Sequence, residues 1–180
     1  MPKKSGDRLI VVKNWPCLVV GCIIEHQDKF ILVQERMSDI GKWNQPAGWL
    51  EKYENPVIAA KREAEEETGL KVKIIGFLGA YSHIKYNVKK FDPKHNRPSK
   101  INIHAVKLIF IGKSVENPIN KAGYSSKEIS DTRWFTLPQI KELDKSKLLR
   151  DHDIINEVQD YRRGRHYNLN IVQHRSFFVK

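Results

Sequence analysis

The chain has no apolar run long enough to cross a membrane. Its best candidate, Cys17 to Ile24, is preceded by Asn14 and Pro16 and falls far short of the ~20 residues a helical span requires. Cysteine is scarce, with 2 in 180 residues, and no Cys/His spacing suggests structural zinc. On a strand, Cys17 and Cys22 would point to opposite faces and could not pair. Free, buried thiols in a reducing cytoplasm are therefore expected. Acidic residues are the minority, 21 against 32 Lys and Arg, for a net charge of +11. There is no internal repeat and no low-complexity tract. With 40% hydrophobic residues, residues 1–180 are expected to form a single domain with a substantial core.

The pattern along the chain alternates between strand and helix. Cys17–Glu25 and Phe30–Glu35 read as strands joined by a turn around His26–Lys29, because both are rich in Val, Ile and Leu between polar breaks. Val72–Tyr81 and Ile101–Ile111 read as further strands, separated by a long polar connection from Ile84 to Lys100. Asp131–Thr136 reads as another strand, and Leu137–Leu143 and Asp153–Arg163 have helical periodicity. Such interleaving predicts an α/β fold. The basic start (Lys3, Lys4, Arg8, Lys13) ahead of Val19-Val20-Gly21-Cys22 has the look of a lipoprotein cleavage site. Cleavage there would delete the first core strand, so the segment is expected to be retained.

The chemistry is concentrated between Gly48 and Leu70, GWLEKYENPVIAAKREAEEETGL. Asn55 suits a helix N-cap, Pro56 the first helical position and Gly69 the left-handed residue that ends a helix. Val57, Ala60 and Ala64 would form its buried face. On that helix Glu63, Glu66 and Glu67 project together while Glu65 points elsewhere. Clustered carboxylates suit Mg²⁺ or Mn²⁺, and Mg²⁺ typically completes its shell with water and substrate phosphates. Arg62, four residues before Glu66, is placed to orient a ligand carboxylate.

This segment resembles the Nudix box of the MutT/Nudix hydrolases, G-x5-E-x7-R-E-U-x-E-E-x-G-U, with U a bulky or aliphatic apolar residue. Gly48, Glu54, Arg62, Glu63, Glu66, Glu67 and Gly69 supply the fixed positions, and Ala64 and Leu70 the apolar ones. At typical residue frequencies such a match arises by chance on the order of 10⁻⁸ per window. Trp43-Asn44-Gln45-Pro46-Ala47-Gly48 and the segment Tyr161 to Leu169 are similar to the NudJ-type bacterial phosphatases within that family. The resemblance runs from about residue 15 to 169, with the box at 48–70. Trp49 and Asn168 depart from the group's pattern, which bears on substrate and not on chemistry.

The resemblance implies an α/β/α sandwich around a mixed sheet, and hydrolysis of phosphoanhydrides at a divalent cation. It implies Glu66 and Glu67 as principal metal ligands, Glu63 as a ligand or proton acceptor, and the Ala47 carbonyl as one more oxygen. Glu54 and Arg62 would form an ion pair that orients the acids. Glu128, six residues before Trp134, stands where some members carry an additional catalytic acid, with Asp131 as a weaker substitute. Tyr81 and His83, at the end of a strand, are expected to line a base or ring pocket, and Trp43 to stack on it. The other histidines are read as ordinary ones, and Tyr86 as a lesser stacking candidate.

Charge adds a second reading. Lys85, Lys89, Lys90, Lys94, Arg97 and Lys100, with Arg162, Arg163 and Arg165, make a field that draws phosphorylated substrates and suits RNA. The expected partner is a small phosphorylated metabolite, with a nucleoside di- or triphosphate or a thiamine-pathway diphosphate as substrate. An RNA 5′-end pyrophosphohydrolase and a non-catalytic ligand sensor are the alternatives. Cleavage of ADP-ribose is disfavoured, since Tyr86 occupies the place of that subclass's proline.

Overall fold

Two strands and a tight turn begin the fold. In the computed structural model, which describes residues 16–37, 39–92, 97–116 and 123–176, with 87–92 and 97–101 by backbone alone, β1 is Cys17–His26 and β2 is Lys29–Glu35. Gln27 and Asp28 both take positive φ, 51° and 61°, as a two-residue hairpin turn of the primed type requires. The hairpin soon splays. β1 pairs β2 only at Glu25↔Phe30 and His26↔Lys29, then pairs β4 (Ala47–Trp49) from Val19 to Gly21. β2 meanwhile pairs β3 (Trp43–Asn44) and β7 (Ile129–Phe135).

The centre of the sheet is parallel: β1 runs alongside β6 (Arg97–Ser114) from Cys17↔Ala105 to Ile24↔Gly112. β5 (Val72–Asp92) pairs antiparallel with β6 at the sheet's end, giving the order β3-β2-β1-β6-β5. The sheet is therefore mixed. Period-2 alternation along β1 feeds two cores. Val20, Cys22 and Ile24 pack against Ala59, Ala60 and Ala64 of α1 (Pro56–Thr68). Ile23 belongs to the opposite core, with Ile109, Ile111, Ile140 of α2 (Leu137–Lys145) and Ile154, Ile155 and Val158 of α3 (Asp153–Arg162). Helices on both faces make this the expected α/β/α arrangement.

Helix α1 is delimited as its sequence dictates. Asn55 Oδ1 accepts from Val57 N at 2.8 Å, Pro56 opens the helix, and Gly69 closes it at φ 67° with its N–H donating to Glu65 O at 2.9 Å. Its fully buried side chains are Ala59, Ala60, Ala64 and Thr68, with Val57 at the margin. Small residues let the acid-bearing helix lie close to the sheet. Both cysteines are free and buried.

The region read as a polar connection is mostly strand. β5 continues to Asp92 and β6 starts at Arg97, in register through Lys85↔Ile103, Val88↔Ile101 and Asp92↔Arg97. Ile84, Tyr86 and Val88, like Ile101 and Ile103, alternate with polar residues; that is strand periodicity diluted by lysines. Among the described residues β1 pairs with β6 no further than Ala105, and beyond it β6 pairs only with β5. Of the basic residues singled out above, Lys3, Lys4, Arg8, Lys13 and Lys94 lie outside the described residues.

Candidate active site

Four side chains of α1 converge with the strand β4 that lies against it. Arg62 forks onto Glu54, donating from Nε to Oε1 at 2.8 Å and from Nη2 to Oε2 at 2.9 Å. Its Nη1 donates to Glu63 Oε1 at 2.7 Å and to Glu66 Oε2 at 3.2 Å. One guanidinium thus fixes three carboxylates, a geometry that the planar fork of arginine permits and an ammonium does not. Hydrogen bonding from Arg62 holds Glu54 below the usual carboxylate range, and donating those same bonds raises Arg62.

Gly48 makes room for the centre of the cluster. A Cβ there would fall 2.2 Å from Glu63 Cδ and 2.3 Å from each of its carboxylate oxygens. Only a residue without a side chain lets that carboxylate lie on the backbone. Glu67 is tied to the same strand, its Oε2 accepting from Ala47 N at 2.9 Å. The amide of Ala47 is thus engaged by the acid cluster, where the resemblance implied a role for its carbonyl.

These acids crowd one another. Burial pushes Glu63 upward, with Glu66 and Glu128 adding to the effect, and pushes Glu67 well upward, with Glu63 and Glu35 adding. Glu128 therefore stands within electrostatic reach of Glu63. Its loop is anchored where Arg36 N donates to Glu128 O at 2.9 Å. Asp131 does not join the cluster: it accepts from Arg133 Nε at 2.7 Å. Glu35, Glu54, Glu63, Glu66, Glu67 and Glu128 outnumber Arg62 and Arg150 here. Oxygen donors with excess negative charge, some half-buried and one, Glu66, largely exposed, fit a hard divalent cation.

The residues expected to hold a ring fare differently. Trp43 is a core residue, 5% exposed, with its ring 4.8 Å from that of Phe135 and Arg133 over it at 5.5 Å. Packing against β7 and α2 takes the face that stacking would need. Tyr81 donates to Asp160 Oδ2 at 3.0 Å. His83 is not isolated: Nε2 lies 3.3 Å from Asp151 Oδ2 and Nδ1 lies 3.3 Å from Asp153 Oδ2. The three have metal-ligand chemistry and their ligand atoms lie within 4.8 Å of one another. Lys85 Nζ, 3.4 Å from Asp151, already compensates part of their charge. Burial pushes His83 downward. Tyr81 and His83 are thus engaged by Asp160 and Asp153 of α3 and by Asp151 just before it.

Sequence reading missed Glu35, Asn44, Tyr124 and Arg150, which surround the acids. Tyr124 OH donates to Glu66 O at 3.4 Å, and its ring lies against Gly69. Asn44 lies within the Trp43–Gly48 segment singled out above, whereas no local pattern marks Glu35, Tyr124 or Arg150.

Comparison with known proteins agrees with this geometry. The NUDIX domain family matches residues 15–156. The phosphatase NudJ of Escherichia coli K12 is 39% identical over 69 residues, which are 38% of this chain and 45% of that protein. The chain thus spans under half the length of that relative. A Nudix hydrolase from Nitrosomonas europaea superposes with a TM-score of 0.69 at 26% identity, covering 89% of this chain and 98% of the other. An ADP-ribose pyrophosphatase from Streptococcus suis shares the fold at 17% identity and a TM-score of 0.54, over 86% and 97% of the two chains. With a family match that takes in the acid-bearing helix, the glycine beneath it and most of the sheet, the chain belongs to the Nudix family.

Proposed function

We propose that this protein is a Mg²⁺-dependent hydrolase, with Mn²⁺ as a substitute, that cleaves phosphoanhydride bonds in small phosphorylated metabolites. Nucleoside di- and triphosphates or thiamine-pathway diphosphates are its substrates in this reading, and residues 1–180 act as one domain. The observation that carries it is the Glu63 carboxylate seated on Gly48 and held by Arg62. The similarity to the phosphatase NudJ supports hydrolysis of a phosphorylated compound.

Glu63, Glu66 and Glu67, with the Ala47 carbonyl, would hold the cation. When bound, such a cation neutralises phosphate charge, lowers the pKa of water and aligns the attacking and leaving oxygens. The chain's own residues do the rest. Arg62 and Glu54 fix the acids so that little reorganisation accompanies binding. Glu128 is available to accept a proton beside Glu63. Tyr81 and His83 are proposed to meet the non-phosphate part of the substrate.

A second reading, an RNA 5′-end pyrophosphohydrolase, is favoured by one observation: the lysine-bearing strands β5 and β6 stay paired to Asp92↔Arg97, past the described pairing of β6 with β1. Incubation with Mg²⁺ and GTP, GDP, thiamine diphosphate, ADP-ribose and triphosphorylated RNA, with products identified by mass, separates the two. Release of phosphate from the small molecules is expected. Turnover of RNA alone would replace the leading reading with the second. A folded protein that hydrolyses none of them would overturn both and favour a sensor.

A further inference from the structure

A second arginine reaches the acid cluster from a different part of the chain. Leu149 forms a parallel bridge with Trp43. Trp43 N donates to Leu148 O at 2.7 Å, and Arg150 N donates to Trp43 O at 2.9 Å. These bonds fix the backbone of Arg150 beside the segment that leads into Ala47.

Its side chain is fixed as well. Arg150 Nη1 donates to Glu35 Oε1, and Nε donates to Asp39 Oδ2 at 3.1 Å. Glu35 is buried, 7% exposed, and its Oε1 also accepts from Asn44 Nδ2, another buried group, at 3.2 Å. An exposed pair such as Arg150–Asp39 alone would contribute little. A buried carboxylate braced by a buried amide instead aims the guanidinium. Arg150 is 30% exposed, and among the described residues its Nη2 donates to no protein acceptor. The segment that holds the Arg150 backbone, Trp43–Asn44, runs on to Ala47, whose N–H donates to Glu67 Oε2 at 2.9 Å, and the charge of Arg150 is felt at Glu67.

We propose that Arg150 is a phosphate-binding residue of this site, whose free guanidinium edge receives phosphate oxygens of the substrate across from the acid cluster. Glu35 and Asn44 are its positioning residues. The identity of the ligand rests on the phosphohydrolase reading above. A planar fork with two of its nitrogens already held presents the remaining donors in the geometry that phosphate oxygens accept. It also supplies positive charge beside a cluster in which carboxylates outnumber arginines.

Arg150→Lys tests this in the full chain, because lysine keeps the charge beside Glu35 but loses the fork. Binding of methylenediphosphonate, a diphosphate analogue that resists hydrolysis, is measured by calorimetry with Mg²⁺, and GDP turnover is measured in parallel. Arg150→Lys should weaken analogue binding by about 10-fold or more and raise KM by a similar factor, with melting temperature little changed. The double variant Arg150→Met with Glu35→Gln removes the fork without stranding a buried charge, and should lose analogue binding while staying folded. Wild-type affinity in both variants, or a wild-type protein that does not bind the analogue, would overturn the proposal. Arg150-dependent binding by a protein that turns nothing over would retain it and remove only the hydrolase reading.

Discussion

The carboxylate of Glu63 lies where the side chain of residue 48 would begin, 2.2 Å from an ideal Cβ on Gly48. Gly48→Ala should therefore displace Glu63 and not simply crowd it. Turnover should fall by ~100-fold, since displacement of a reacting group by about an ångström has that cost. Circular dichroism and melting temperature should stay near wild type. Unchanged kcat in a folded Gly48→Ala protein would remove Glu63 from the chemistry.

Glu66 and Glu67 share the face of α1 but differ in exposure, Glu66 being the open one. Glu66→Gln or Glu67→Gln should cut turnover by ~100-fold or more if, as proposed above, each supplies a charged oxygen donor to the cation. Titration with Mg²⁺ should show a raised activation constant. Native turnover in both variants is the outcome that would sink the metal assignment.

Glu157 is wholly buried and pairs with Lys107 Nζ at 2.6 Å, yet burial pushes its pKa up to about 7 from 4.5. A carboxyl raised on folding binds its proton more tightly in the native state, so stability falls as pH rises between those values. Its contribution is fully present below pH 4.5 and is lost as pH rises through about 7. Denaturant midpoints from pH 4.5 to 7.5, taken with Mg²⁺ so that Glu63 and Glu67 contribute less, should decline less steeply in Glu157→Gln. An equal slope in the variant would place that proton elsewhere.

Gly69 combines a left-handed backbone, φ 67°, with the ring of Tyr124 2.6 Å from an ideal Cβ. Gly69→Ala should destabilise the protein by about 1–3 kcal/mol. In a Tyr124→Ala background the same change should cost less, leaving only the backbone component. A double-mutant cycle in urea separates the two. Full additivity would mean that the ring contributes nothing to the cost.

The legible parts of this fold were those with local causes. Asn55, Pro56 and Gly69 announce the ends of α1 within a single segment, and the spacing of Glu63, Glu66 and Glu67 follows from helical period alone. The β5–β6 hairpin was hidden because lysines occupy the polar positions of an alternating pattern. β3 and β4 were missed because each is only a few residues long and Pro46 stands between them. Arg150 finds Glu35 across 115 positions, and His83 meets Asp151 and Asp153 only after α3 has docked. Trp43 shows the converse error: its place beside the box suggested a ligand, but β7 and α2 claim its ring.

Beyond Ala105 the backbone ladder of β6 closes only on β5 among the described residues. The distal turns of this hairpin can therefore be lengthened, shortened or exchanged as matched pairs of residues without breaking a hydrogen bond to β1. Such an arm is a separable appendage, whose surface can be changed without touching the backbone that seats Gly48, Arg62 and the acids.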